Sequence, residues 1–199
     1  MNRDASQSLE TSHPARGSRR ASHVARTCLR PFEPDDAREG ARWVRTKRDL
    51  QWLAPGTAPP LTAEKVIAWK KPGGQAFALT VNDSSEPIGY GELNPMGGEN
   101  GHWWIGHVIV RPDLRGRGLG QAFVRALLDH AFHELAADRV SLIVFPGNRA
   151  ALDCYRRVGF APMSEEFHQF GQGGAKNRLL RLEIRRSASP IRTTQHATE

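Results

Sequence analysis

Arg115-Gly116-Arg117-Gly118-Leu119-Gly120 is the stretch whose residue types point most directly to chemistry. It lies between an apolar run, Trp103 to Val110, and an amphipathic run, Gln121 to Leu135. That order reads as strand, glycine turn, helix. Glycines let the main chain bend and come close to a ligand. The helix behind them points unpaired N–H groups, and the positive end of its dipole, back at the turn. Such a corner suits an anion, phosphate in particular. A second pair of polar groups, Asn148 and Tyr155, follows the apolar run Val140 to Phe145. Seven positions are about two helical turns, so the amide and the phenol share a face and meet one cleft.

Two other phosphate sites use spaced glycines. A dinucleotide-binding turn opens a βαβ repeat and has an acidic residue about 20 positions later. Here an antiparallel hairpin comes first and the turn lies past the middle of the chain. A nucleoside-triphosphate loop needs Lys-Ser/Thr after its last glycine. Gln121 follows Gly120, which removes that reading.

The elements that must position these groups can be read from the pattern. Residues 1–26 and 187–199 have too few large apolar groups to offset the entropy of ordering, so both are expected to be disordered tails. The folded domain is 27–186. Thr27 to Phe32 is a first strand. Pro34-Asp35-Asp36 opens a helix from which Trp43 and Val44 face inward. Trp52 to Gly56 reads as a loop. Thr62 caps a second helix, Ala63 to Lys70, ended by Pro72-Gly73-Gly74. Gln75 to Val81 and Pro87 to Leu93 form a hairpin, and Trp103 to Val110 follows. The helix after the glycine turn repeats apolar groups at Leu119, Phe123, Ala126, Leu127, Ala131 and Leu135. Asn148 caps the next helix. Gly159 ends it and folds Phe160 back toward Tyr155. Lys176 to Arg186 is a last strand. The expected fold is α/β: a mixed, mostly antiparallel central sheet flanked by helices, in the order β-α-α-β-β-β-α-β-α-β-β.

Composition bounds the function. The chain has 199 residues, 39% hydrophobic and 25% charged, ordinary values for a globular protein. No apolar run approaches the roughly 20 residues of a membrane helix, and no secretory h-region follows the N-terminus. Cys28 and Cys154 stand alone, which gives neither a disulfide framework nor a zinc site. A cytoplasmic protein with reduced thiols is expected. The net charge is +7, and residues 1–26 hold five arginines against two acids. No basic stripe interleaves with aromatics, so nucleic acid is read as a neighbour and not the target.

Arg115, Gly118 and Gly120 match the Arg/Gln-x-x-Gly-x-Gly/Ala signature of the GNAT N-acetyltransferases, which this chain resembles. Asn148, Ala151, Tyr155, Gly159 and Phe160 match the family's following helix. Leu29-Arg30-Pro31-Phe32 with Asp35-Asp36-Ala37 is similar, more loosely, to its opening, and there to the ribosomal-protein acetylating branch. The resemblance implies acetyl-CoA as co-substrate and no metal. Main-chain amides of Arg115, Gly116, Arg117, Gly118, Leu119, Gly120 and Gln121 would hold the CoA pyrophosphate. Val108, Ile109 and Val110 would bond the pantetheine arm like an added strand. Beyond that point the family's central strands splay, and a main-chain N–H near Val108 would polarise the thioester carbonyl. Asn148 would bond a pantetheine amide, and Tyr155 would protonate the leaving thiolate. Family members often place a glutamate on the strand before the turn to deprotonate the amine. Here that position holds Trp104. Glu92, His107 and His102 are the candidates for the base, with a water chain as a further route, and Glu92 is favoured because a carboxylate on an interior strand needs a reason.

Plainer roles compete. Tyr155 could merely pack at the Gly159 cap, and His107 could be a satisfied core histidine. His130 and His133 lie three apart on a helix but show no third metal ligand. One of Trp103 and Trp104 packs in the core while the other can line an acceptor pocket. Cys154 packs inward. The acceptor is a primary amine, either a protein N-terminus or a small molecule, with Asp49, Glu92 and Glu99 available to meet a cation. A non-catalytic acyl-CoA-binding regulator and a ribosome- or RNA-associated module are the alternatives. A homodimer is left open.

Overall fold

The computed structural model describes residues 26–186 apart from 83, 99, 172 and 173. The expected tails and Glu99 therefore lie outside the described residues, Arg26 aside. The chain runs β1 (Thr27–Pro31), α1 (Ala37–Arg42), α2 (Lys47–Leu53), α3 (Ala63–Ile67), β2 (Gln75–Val81), β3 (Gly89–Pro95) and β4 (His102–Val110). It continues through α4 (Leu119–His133), β5 (Arg139–Val144), α5 (Arg149–Val158), β6 (Ala161–Gln169) and β7 (Lys176–Arg185). Short 3-10 turns at Pro34–Asp36 and Pro112–Leu114 lead into the first and fourth helical regions.

The strands pair in the order β1-β2-β3-β4-β5-β7-β6, and β4–β5 is the parallel contact. The mostly antiparallel sheet flanked by helices is the architecture expected from the sequence. One additional helix, and one expected strand that the pattern gave no bounds, have local causes. Lys47–Leu53 is an additional helix where the sequence reading placed only a loop from Trp52. Its start is a reciprocal cap: the Thr46 hydroxyl accepts from the Asp49 N–H at 3.0 Å, and the Asp49 carboxylate accepts from the Thr46 N–H at 3.0 Å. Its one full apolar anchor is Leu50, too little to give a periodic signal. The strand β6 is exposed along most of both faces, so it lacks the alternation that marks a strand.

Side-chain alternation on β3 divides the core. Gly89 and Gly91 lie beneath α4, where a Cβ on either would stand 3.1 Å from Phe123 or Leu127. The absent side chains let Phe123, Val124 and Leu127 sink fully into the first core, against Leu79, Leu93, Val140 and Leu142. Tyr90 and Ile109 point to the other face and join Ala37, Trp43 and Val66 in a second core under α1 and α3. Val44 packs against that cluster, as the sequence predicts.

Phe123 is fully buried and fills the space above two glycines. Phe123→Ala removes its transfer energy and leaves a cavity the sheet cannot close, so unfolding free energy falls by about 3–5 kcal/mol. Urea denaturation with an unchanged m-value checks this.

Candidate active site

The parallel ladder between β4 and β5 consists of His102↔Arg139, Trp103↔Val140 and Trp104↔Ser141, and then stops. Both strands continue, so they part as a V. Across β4's other edge the register with β3 slips: Tyr90 faces Ile109, but Glu92 faces Gly106. The extra residue is a bulge at His107 and Val108, and His107 takes a left-handed φ of 48°. A histidine at positive φ is uncommon and costs strain, a feature that clusters at functional sites.

Two recesses open from the splay. The larger, about 500 Å³, is lined by Val108, Ile109, Val110, Arg115, Gly116, Gly118, Gly120, Gln121, Asn148 and Tyr155. The structure thus brings together ten of the twelve residues assigned to the cofactor. Arg117 and Leu119 do not line it; Leu119 packs against the first core. Gly116 and Gly118 have φ values of 77° and 81°. A Cβ on either would meet nothing within 4 Å, so glycine is required here by the backbone and not by crowding. Gly118 is the N-cap of α4, and the N–H groups of the next residues have no intrahelical carbonyl. Arg115 is tied down by its Nε bond to the Val110 carbonyl at 2.9 Å and by Asp49 at 3.5 Å. Arg157 adds a second cation to the lining. Glycine amides, the helix dipole and Arg115 suit this end to an anion.

Asn148 uses its Oδ1 to accept from the Ala151 N–H at 3.3 Å, capping α5. That leaves its Nδ2 group to donate into the recess. Tyr155 stands on the same helix, edge-on to Phe160 at 5.8 Å across the Gly159 cap. Burial, with the neighbouring Cys154, raises the Tyr155 phenol above its ordinary range, so it holds its proton at neutral pH. Cys154 is half-buried against the first core but also lines the recess, and burial raises its thiol.

The smaller recess, about 230 Å³, lies on the other side of the V and has His107 and Trp104 in its walls. Trp52 and Leu53 line both recesses, so the two meet there. Trp103 packs on the first core, leaving Trp104 to the recess as the alternation predicts. Glu92 lies behind His107, 1% exposed. Its carboxylate accepts from Tyr90 Oη, from Asn94 Nδ2 at 3.1 Å and from His107 Nδ1 at 3.0 Å. Burial opposes its charge, but the hydrogen bond and charge of His107, with the other two donors, hold it below the usual carboxylate range. With Nδ1 on Glu92, Nε2 is the nitrogen His107 can offer to a ligand. The ring stacks on Trp69, with centroids 4.4 Å apart and planes 15° from parallel. The sequence places Trp69 inside a helix Ala63 to Lys70 with no motif around it, whereas the helix ends at Ile67 and frees Trp69 to meet His107.

The remaining candidates go elsewhere. His102 lies at the far end of β4, hydrogen-bonded to Ser141 Oγ at 2.7 Å, and lines neither recess. His130 bonds Gln75 and His133 bonds the Asp129 carbonyl; among the described residues no group of three or more His, Cys, Asp or Glu could hold a metal ion. Asp49 lines the larger recess, paired with Arg115. No helix among the described residues is long and apolar enough to cross a membrane.

Comparison with known proteins places the chain in a family. The model of the acetyltransferase (GNAT) family matches residues 43–160. An aminoglycoside N(6')-acetyltransferase type 1 of Klebsiella pneumoniae is 29% identical over 87 residues, covering 39% of this chain and 43% of that protein. A spermidine N(1)-acetyltransferase of Escherichia coli K12 is 30% identical over 77 residues, covering 39% and 41%. The alignments thus span less than half the length of these relatives. Among solved structures, spermidine N-acetyltransferase from Vibrio cholerae, in complex with CoA and spermine, superposes with a TM-score of 0.66 at 18% identity, covering 80% of this chain and 95% of that one. With more than half of its length matched by the family model, the chain belongs to the GNAT acetyltransferase family.

Proposed function

We propose that the protein is an acetyl-CoA-dependent N-acetyltransferase acting on a primary amine. One observation carries this reading: the glycine turn, the unpaired edge of β4, Asn148 and Tyr155 all line a single recess that opens onto the β4–β5 splay. Acetyl-CoA supplies the acetyl group as a thioester, and transfer to the amine releases the free thiol. The residues present fit it: left-handed glycines with open space beside them, a helix N-terminus and Arg115 suit a pyrophosphate. The main chain of Val108–Val110 bonds the amide-bearing arm as an added strand would, and the Asn148 Nδ2 group donates to it. A main-chain N–H in the bulge at Val108 donates to the carbonyl oxygen as charge gathers there.

Proton movements fall to side chains on opposite sides of the V. Tyr155 keeps its proton at neutral pH and gives it to the departing sulfur. His107 accepts the proton of the amine at Nε2. Glu92 serves as the positioning carboxylate: three donors occupy it and its basicity is depressed, which suits it to orienting His107 better than to taking a proton itself. The Glu92–His107 pair would supply what Trp104 cannot, which supports turnover over a non-catalytic regulator.

Thiol release on mixing the protein with acetyl-CoA and a primary-amine panel tests the reading. Tyr155→Phe lowers kcat about 10²–10⁴-fold while the KM for acetyl-CoA stays close to that of the parent. Gly118→Val, forced into a left-handed φ, weakens coenzyme A binding about tenfold or more in calorimetry. No heat of coenzyme A binding by the parent protein would sink the proposal.

Glu92→Gln has a thermodynamic signature as well. The folded protein holds the Glu92 proton less tightly than the unfolded chain. Its ionisation therefore stabilises the fold above the unfolded carboxyl value of about 4.3, and the gain fades as pH falls through the lower folded value. Glu92→Gln is accordingly less stable than the parent at pH 7, and the difference narrows below pH ~4. Its kcat falls with the KM for acetyl-CoA unchanged. Denaturation curves at several pH values and steady-state kinetics check the two parts.

A further inference from the structure

The acetylated group must enter through the smaller recess, and its lining says what carries that group. Its walls are aromatic: Trp52, Trp104, Phe145 and Phe170. No carboxylate lines it, and its full cation is Lys71. An aromatic box can hold an ammonium ion over its ring faces. Here both indoles already have a guanidinium beside them: Arg48 lies 5.8 Å from the Trp52 ring centre and Arg181 5.1 Å from that of Trp104. Glu166 is taken up by Arg181 and by His168, and His168 in turn stacks on Phe170. Glu92 is taken up by His107. Lys71 has no ion-pair partner among the described residues. Among the described residues, the charge left unbalanced around the recess is therefore positive.

A molecule with two or more ammonium groups would bring like charge to this wall, at a cost that discriminates strongly against it. Size points the same way. About 230 Å³ is at or below the low end of the roughly 300–1,000 Å³ of pockets for drug-sized ligands, so a compact acceptor fills it better than a multi-ring amino sugar. Resting on the acyl transfer set out above, we infer that the acceptor is a small α-amino-acid-like molecule: one primary amine presented to His107, an apolar or aromatic body among Trp104, Phe145 and Phe170, and a carboxylate toward Lys71. This separates the chain from the relatives whose names carry aminoglycosides and spermidine.

The test is a matched set of acceptors at saturating acetyl-CoA: L-phenylalanine, phenethylamine (the same body without the carboxylate), spermidine and kanamycin. The expected order has kcat/KM for L-phenylalanine about fivefold above phenethylamine and about tenfold or more above spermidine and kanamycin. Lys71 is exposed, so Lys71→Glu leaves the fold intact. It reverses the ratio of L-phenylalanine to phenethylamine, and Lys71→Arg restores it. Spermidine or kanamycin as the best acceptor overturns the inference, as does a ratio that Lys71→Glu leaves untouched. Calorimetry with coenzyme A on the same samples separates the two levels. Coenzyme A binding with preferred turnover of a polycation defeats the acceptor class alone; absence of coenzyme A binding defeats the acyl-transfer reading with it.

Discussion

The early parting of β4 from β5 is the constraint on which the site depends. These strands are parallel neighbours, yet their ladder ends after Trp104↔Ser141. On its other edge β5 stays paired with β7 from Arg139 to Val144. β4 stays with β3 only by bulging at His107 and Val108. The result is a length of β4 inside the protein whose inner edge has no strand beside it. Main-chain groups on such an edge lack strand partners, so it suits an extended, amide-bearing ligand before any side chain is considered. The bulge then turns His107 toward the smaller recess while Val108–Val110 line the larger one.

The helix α2 couples the two recesses. Asp49 caps its own helix through Thr46 and reaches Arg115 in the glycine turn. Burial opposes the charge of Asp49, but the Thr46 hydroxyl and N–H, with Arg115, hold its carboxyl below the usual range. It is therefore ionised at neutral pH and would compete with an anion for Arg115. One turn on, Trp52 and Leu53 form the wall common to both recesses. A pyrophosphate that drew Arg115 toward itself would loosen this tether and move the acceptor wall.

The parts of this arrangement that the sequence made legible are those where local chemistry decides. Gly116 and Gly118 are left-handed because the turn demands it. Asn148 caps α5, and Gly159 ends it with φ 115°. These motifs are contained in a few neighbouring residues, and with them came most of the larger recess. The smaller recess was much less legible. The contact of Glu92 with His107 spans 15 positions and depends on a bulge whose register follows from sheet pairing. Trp69 against His107 spans more, and nothing near it in sequence marks it. The helix α2 was missed although Thr46-x-x-Asp49 is a capping signal, because a single buried leucine gives no periodicity to read.

Under the proposed function, the tryptophan at position 104 takes on a meaning. A base on β4 would stand beside the splay, where Trp104 is the last residue paired with β5. Glu92 holds the corresponding charge one strand away, on β3, and reaches the recess only through the His107 ring. Moving the carboxylate behind a histidine has a consequence for recognition. It removes a negative charge from the recess wall and gives that space to an indole, which Arg181 flanks. On the proposed reading, a base on β4 would attract polycations, and a relayed base with an aromatic wall would not. In the proposed reaction, the displacement of one charge by one strand thus sets both how the amine loses its proton and which amines gain entry.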